Sequence, residues 1–178
     1  MSTQLVVVDM QHVFGDPASA WFAPRFAEIL EPIDRLVAAY GSAVTFTRFV
    51  APASPIGAWQ EYYAQWPFAL QPPDADLYAL VDHFAGRPTL DAGTFGKFGP
   101  ALSTYDELVV AGVSTDCCVV STVLPAADAG VKVWVPADAC AGASDEAHRQ
   151  ALALMASYAP LVEVTTVDEL VLNARGDP

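Results

Sequence analysis

The chain has 178 residues, the length of a single domain, so we expect residues 1–178 to form one domain with its own hydrophobic core. Its composition, 53% hydrophobic and 16% charged, is typical of a globular protein and excludes a disordered one. The formal net charge of −13 disfavours nucleic acid and anionic membrane surfaces as partners, because both would be repelled.

The number and spacing of the cysteines and the N-terminal sequence indicate in which cellular compartment the protein is expected. Three cysteines, of which Cys117 and Cys118 are adjacent, make a poor disulfide framework and are typical of a reduced protein. The first residues lack the basic region and cleavage site of a signal peptide. The longest uncharged apolar stretch, at residues 117–127, is shorter than the roughly 20 residues of a spanning helix. We therefore expect a cytoplasmic protein.

Short runs rich in β-branched residues predict five strands, at residues 5–8, 43–47, 108–111, 131–135 and 161–164, and residues 87–90 add one further short strand. Helical patterns lie between them, at residues 26–40, 58–65, 118–129 and 144–158. Pro32 is expected to kink or interrupt the first of these helices, and Pro125 is expected to bend the third. The alternation of strands and helices predicts an α/β fold in which an α/β/α sandwich surrounds a mostly parallel six-stranded sheet.

Two polar segments follow predicted strands. Asp9 follows the strand at 5–8, and residues 112–118 follow the strand at 108–111 and lead into a helix. If these strands are neighbours where the strand order reverses, Asp9 and Cys118 share one crevice. A helix N-terminus favours a thiolate, and a nearby carboxylate can accept its proton. The alternatives are an inert buried Cys118 and an Asp9 that only caps a turn.

These segments carry a resemblance to a known family. Val7-Val8-Asp9-Met10-Gln11, Ala111-Gly112-Val113-Ser114-Thr115-Asp116-Cys117-Cys118-Val119, residues 126–130 and residues 137–139 resemble the isochorismatase-like cysteine hydrolases. Its most specific part is the pattern Gly-x-x-Thr-Asp-x-Cys-Val. The resemblance implies that Cys118 is the nucleophile and Asp9 the catalytic aspartate. It also implies that a cis peptide between Val113 and Ser114 exposes an amide for the oxyanion.

The lysine of this family is displaced here. Its usual position, at the end of the third strand, falls near Ala92, and Phe95-Gly96-Lys97-Phe98 resembles the element that follows. Of the two lysines in the chain, Lys132 lies inside a predicted strand. Lys97 therefore becomes the candidate for the third catalytic group, with Arg87 in reserve. Lys97 is equally well read as a solvated surface lysine.

The resemblance implies acyl transfer through a thioester on Cys118, with a C–N bond of a small amide or carbamoyl compound as the target. It also implies a homodimer or homotetramer. Alternatives are a vinyl-ether hydrolase, a catalytically silent relative that binds a ligand or partner, and a thiol redox protein that uses Cys117 with Cys118. No cofactor is expected. No metal is expected either, because the histidines of the metal-dependent members are missing after the second strand.

The other cysteines, the histidines and a group of aromatic residues are interpreted as structural. Cys117 and Cys140 are expected to be small core residues. The three histidines are expected at the surface or in structural roles, since they show no metal-ligand spacing. A group of aromatic residues in the proline-rich stretch 50–76 is expected to pack on the sheet or in a subunit interface, with a pocket wall as the alternative: Trp59, Tyr62, Tyr63, Trp66 and Phe68.

Overall fold

The computed structural model describes residues 1–174, and within them seven strands form one sheet. The strands are β1 Thr3–Val8, β2 Val44–Phe49, β3 Thr89–Ala92, β4 Glu107–Val113, β5 Lys132–Pro136, β6 Cys140–Ala141 and β7 Val162–Thr165. Their order is β3-β2-β1-β4-β5-β7, with β6 beside β4, and every strand pair is parallel. This confirms the α/β class and the parallel sheet.

The strand count of six is corrected to seven by β6. The extra strand exists because β5 pairs only with the first residues of β4, Glu107–Val109. The chain then turns through residues 137–139 and places Cys140 and Ala141 beside Gly112 and Val113. The open hydrogen-bonding groups at the end of β4 are satisfied in this way.

Six helices flank the sheet within the described residues: α1 His12–Gly15, α2 Leu30–Tyr40, α3 Trp59–Gln65, α4 Val120–Asp128, α5 Asp145–Ala156 and α6 Val167–Ala174. Helices α2 and α6 pack in one core cluster, and α4 and α5 pack in the other. Alternate residues of β1 supply both clusters, with Leu5 and Val7 in the first and Val6 and Val8 in the second. Between residues 1 and 174, no helix combines the length and apolar character that a membrane crossing requires.

The two helix prolines behave differently from each other. Residues 26–29 form a 3₁₀ turn, so Pro32 lies in the first turn of α2, where its missing N–H is not needed. The predicted helix at 26–40 is thus interrupted near Pro32, which confirms one of the two expected effects of this proline. Pro125 lies inside α4 and has no N–H to donate to the carbonyl of Ser121, one turn earlier.

Candidate active site

The carboxyl ends of β1 and β4 lie side by side at the point where the strand order reverses. Strands β2 and β3 lie on one side of this pair, and β5 and β7 lie on the other. Val8 is in register with Gly112, whose φ is +116°, and a Cβ at Gly112 would lie 2.2 Å from the Val8 carbonyl oxygen. Only glycine permits this close approach. The residues that follow, Asp9 and the turn after Val113, therefore meet in one crevice.

Asp9 is completely buried and has a positive φ of 52°, which is uncommon for a residue with a side chain. Thr47 holds it twice: its hydroxyl donates to Asp9 Oδ1 at 2.7 Å and accepts from the Asp9 N–H at 3.2 Å. The side chain of Gln11 bonds the backbone of Phe49 and Tyr78, which fixes the turn after β1. These contacts commit Oδ1 and the backbone of Asp9, so Oδ2 is the oxygen left for chemistry.

Lys97 reaches that second oxygen. Its side chain is fully buried, and its Nζ lies 3.1 Å from Asp9 Oδ2. The same Nζ donates to the carbonyl of Thr94 at 2.9 Å. Among the described residues Oδ2 accepts no well-aligned hydrogen bond, so its contact with Lys97 is an ion pair that leaves the oxygen open to a further donor. The two charges compensate each other away from water.

The loop that carries Lys97 docks on α4. A Cβ at residue 96 would lie 2.4 Å from the carbonyl oxygen of Ser121, the same carbonyl that Pro125 leaves without an N–H donor. The Lys97 N–H also donates to Thr122 Oγ1 at 3.0 Å. This docking brings the lysine to the site from a loop after β3. Arg87, the reserve candidate, is exposed and lies over the ring of Phe46 at 4.9 Å, away from Asp9.

Cys118 lies in the first turn of the helical segment after β4. Residues 115–119 form a wide turn, in which the Val119 N–H donates to the Ser114 carbonyl at 3.1 Å, and α4 continues from it. Cys118 is 2% exposed, and this small exposed part borders a cavity. The peptide bond between Val113 and Ser114 is cis, at the position that the family resemblance implies.

The electrostatics of the site combine effects that oppose one another. Burial raises the pKa of the Asp9 carboxyl above its ordinary 3.8, although the charge of Lys97 and contacts with Thr47 and Cys118 act in the opposite direction. A hydrogen bond with Cys117, burial and the charge of Asp9 raise the pKa of Cys118 well above 9.0. These effects act against the helix N-terminus, which favours a thiolate, and the same hydrogen bond lowers the pKa of Cys117.

An aromatic wall surrounds the exposed edge of Cys118. The cavity has a volume of about 260 Å³. Seven aromatic residues line it and form what we call the aromatic wall: Phe14, Trp21, Phe22, Phe49, Tyr62, Trp66 and Phe95. Ser114, Asp116, Cys117 and two alanines complete the lining. Trp21 is central, with its ring centroid 5.8–6.2 Å from those of Phe14, Phe49, Tyr62 and Trp66.

Several sequence-based interpretations change here. Tyr62 and Trp66 line the cavity, which was the alternative interpretation, whereas Tyr63 is buried and stacks on Trp59. Cys117 is half-buried at the cavity, so its interpretation as a core residue is wrong, while Cys140 is buried as expected.

Some residues of the site were missed by sequence reasoning. Thr47 and Thr122, both completely buried, anchor Asp9 and Lys97. The sequence does not single out Thr47, because the same strand also carries Thr45 and Arg48. His148 Nδ1 lies 2.8 Å from Thr115 Oγ1 and supports the turn before Cys118. Within residues 1–174, no three His, Cys, Asp or Glu side chains are grouped as metal ligands.

Comparison with known structures shows the same fold. A cysteine hydrolase from Pseudomonas syringae pv. phaseolicola 1448A superimposes with a TM-score of 0.85 and 24% identity, over 98% of this chain and 93% of that chain. An isochorismatase family protein from Desulfovibrio vulgaris subsp. vulgaris str. Hildenborough gives 0.82 and 18%, over 95% and 96%. The MAR1 ribonuclease from Caenorhabditis elegans gives 0.71 and 20%, over 98% and 82%.

At these identities the structural matches establish the fold. The family follows from the sequence, because the model of the isochorismatase domain matches residues 3–169, nearly the whole chain. The match spans both strand ends that carry Asp9 and Cys118, together with the loop that carries Lys97. The chain therefore belongs to the isochorismatase family.

Proposed function

We propose that this protein is a cysteine hydrolase that cleaves a C–N bond of a small amide or carbamoyl compound, with Cys118 as nucleophile. One observation carries the proposal: Cys118 borders the cavity and contacts Asp9, which lies fully buried behind the cavity lining with its Oδ2 3.1 Å from the buried Lys97 Nζ. We call these three residues the floor. A thiol, a base and a cation in one dry site are the elements of nucleophilic acyl transfer.

In the first step, Asp9 accepts the proton of the Cys118 thiol as Sγ forms a bond to the carbonyl carbon. The raised pKa of Asp9 makes it a stronger base than an ordinary carboxylate. The thiol loses its proton only during attack, since its own pKa is raised. The negative charge that develops on the carbonyl oxygen is received by the N–H groups of Ser114 and Cys118, at a helix start where N–H groups lack intrahelical acceptors.

In the second step, the C–N bond breaks and Asp9 returns the proton to the leaving nitrogen. The amine or ammonia departs, and the acyl group remains as a thioester on Cys118. Water then attacks the thioester carbon, Asp9 takes a proton from that water, and the thiol is regenerated as the acid leaves. The sum is amide plus water giving carboxylic acid plus amine.

Lys97 acts on Asp9 in this scheme. Burial alone would protonate Asp9, and a protonated carboxyl accepts no proton from a thiol. The positive charge of Lys97 favours the carboxylate and keeps Asp9 competent as a base. Because Lys97 is in place from its displaced position, the departure from the family pattern gives no support to a catalytically silent relative.

Two further activities receive less support. The formal charge of −13 opposes the binding of a polyanion, so we do not assign the ribonuclease activity named for one structural neighbour. A vinyl ether can be hydrolysed in this family without a cysteine, so the presence of Cys118 at the cavity favours the amide over the vinyl ether.

The test is ammonia or amine release from a panel of small amides by the wild-type protein and a Cys118→Ala variant. We expect turnover by the wild type and a loss of about 10³-fold or more in Cys118→Ala, because the nucleophile is gone. Mass spectrometry during turnover is expected to find the substrate's acyl group on the peptide that contains Cys118. Cys140→Ala is the matched control, since Cys140 is also buried but lies outside the cavity lining. Equal turnover by Cys118→Ala would contradict the proposal.

A further inference from the structure

The charges around the cavity are not balanced. Asp9 and Lys97 at the floor form an ion pair and cancel each other. Among the lining residues the single charged side chain is Asp116, an acid. Its Oδ1 accepts the Ala143 N–H at 2.9 Å, and within residues 1–174 no lysine, arginine or histidine forms a salt bridge with it. Asp116 is therefore the one formally charged lining residue, and it has no cationic side chain in a salt bridge with it among the described residues.

The aromatic wall adds a second attraction for positive charge. Faces of tryptophan and tyrosine attract cations through the negative potential above the ring. Trp21, Tyr62 and Trp66 supply such rings at the cavity, with centroids about 6 Å apart around Trp21. A carboxylate beside several aromatic rings is the arrangement that proteins use to bind alkylammonium groups. A carboxylate on the substrate would meet Asp116 with no cation to offset it.

The volume limits the size of the ligand. About 260 Å³ is below the range of about 300–1,000 Å³ that is usual for drug-sized ligands, so the substrate is compact. Its amide must lie at the Cys118 end, and its remaining part must lie against the wall.

Building on the proposed hydrolase function, we infer that the substrate is a compact amide that carries an organic cation, an alkylammonium or quaternary ammonium group held by the aromatic wall and Asp116. Asp116 is thereby a specificity-determining residue. It selects for positive charge and against anionic substrates, while Cys118 and Asp9 carry the chemistry.

Three amides of similar size test this inference, because they differ chiefly in charge. They are trimethylammonioacetamide, its uncharged carbon isostere 3,3-dimethylbutanamide, and the anion malonamate. Calorimetric titration uses the Cys118→Ala variant, which binds without consuming the ligand. We expect the cation to bind about tenfold more tightly than the uncharged isostere, and the anion more weakly than both.

Variants locate the source of the preference. Asp116→Asn in the same background keeps an oxygen for the Ala143 N–H and removes the charge, so we expect the tenfold preference to fall below about threefold while the uncharged amide binds as before. Trp66→Leu keeps an apolar surface but removes a ring, and it is expected to weaken only cation binding. Asp74→Asn is the matched control, because Asp74 is exposed and outside the cavity, and it should keep the full preference.

Failure of this inference and failure of the proposed function give different results. Equal binding of the cation and its isostere, or a preference that Asp116→Asn leaves intact, overturns the inference even if amides are hydrolysed. Preferential binding of the cation with no amine release by the wild-type protein from any amide supports the cation preference of the cavity and overturns the hydrolase. Tighter binding of malonamate than of the cation also overturns the inference.

Discussion

The floor and the aromatic wall of the cavity are built from different kinds of structure. The floor residues Asp9 and Cys118 follow β1 and β4, which are paired over the whole length from Thr3 to Val8. Much of the wall comes from connecting segments, with Trp21 before α2 and Trp66 just after α3. Paired strands hold catalytic groups in a fixed geometry, whereas connecting segments accept changes without disturbing a sheet. The residues proposed for chemistry and those proposed for recognition thus lie on different kinds of structure.

The two regions also differ in what stabilises them. On the floor, a buried ion pair, the Thr47 hydroxyl that donates to Asp9 and the Thr122 hydroxyl that accepts the Lys97 N–H hold the polar groups in position. The wall depends on ring contacts that centre on Trp21, which are less directional. We therefore expect floor variants to change kcat and stability, and wall variants to change KM and substrate choice.

The largest expected effect is on the floor, in Asp9→Asn. The amide keeps the shape of the side chain but cannot accept the thiol proton, so kcat/KM for the best amide should fall by about 10³-fold or more. Steady-state kinetics measure the loss. If Asp9→Asn changes only KM, the expectation that floor variants change kcat and wall variants change KM is wrong.

The next largest expected effect is on stability and concerns the ion pair of Asp9 with Lys97. Asp9→Asn leaves the buried Lys97 without its counter-charge, which should lower the free energy of unfolding by about 3–5 kcal/mol. The double variant Asp9→Asn/Lys97→Met removes both charges and should recover most of that loss. Urea unfolding of the wild type, both single variants and the double variant gives the coupling energy. Simple additivity of the single losses would contradict a buried ion pair.

A smaller effect is expected on the wall, in Tyr62→Leu. The variant keeps apolar volume but loses a ring that contacts Trp21, so KM should rise about tenfold while kcat stays within about threefold. The kinetics use the amide that the wild type turns over best. A large fall in kcat with unchanged KM would show that the wall also positions the reacting groups.

The smallest effect is a displacement of the acid limb in the pH profile of kcat/KM. Only the Asp9 carboxylate accepts the thiol proton, so kcat/KM falls about tenfold per pH unit below the Asp9 pKa, which lies above 3.8. The Thr47 hydrogen bond lowers this pKa. Thr47→Val removes that bond, so the acid limb should move to higher pH. A limb that moves to lower pH or stays in place would assign it to another group.

Much of the fold follows from local patterns. The β-branched runs that end at Val8 and Ala111, and the helical stripe that includes Ile33 and Leu36, each predict an element from nearby residues alone. The strand β6 was missed because two residues carry no periodicity. It forms only because the end of β4 lacks a partner there. The lack of a β5 partner beside the end of β4 is a property of the folded sheet and cannot be recognised in the sequence.

The features of the site likewise fall into those that the sequence predicts and those that only the folded structure shows. Asp9 and Cys118 were found because each lies in a recognisable segment after a strand. The pKa of Cys118 cannot be inferred from the sequence, since it depends on how completely the folded chain removes water from the sulfur and on the charge beside it. The cavity role of Cys117 was missed for a related reason, because burial is a property of the packed structure.

By itself, the sequence determined the layered parallel architecture, the family, and the acid and thiol at two strand ends, because each is encoded in short contiguous stretches. Only the tertiary structure decided that Lys97 reaches Asp9 from a displaced loop, and that Trp21, Tyr62 and Trp66 line one cavity with Cys118 and Asp116. Those arrangements depend on contacts between distant segments. Such contacts follow from packing the whole chain around one sheet and cannot be read from any one segment.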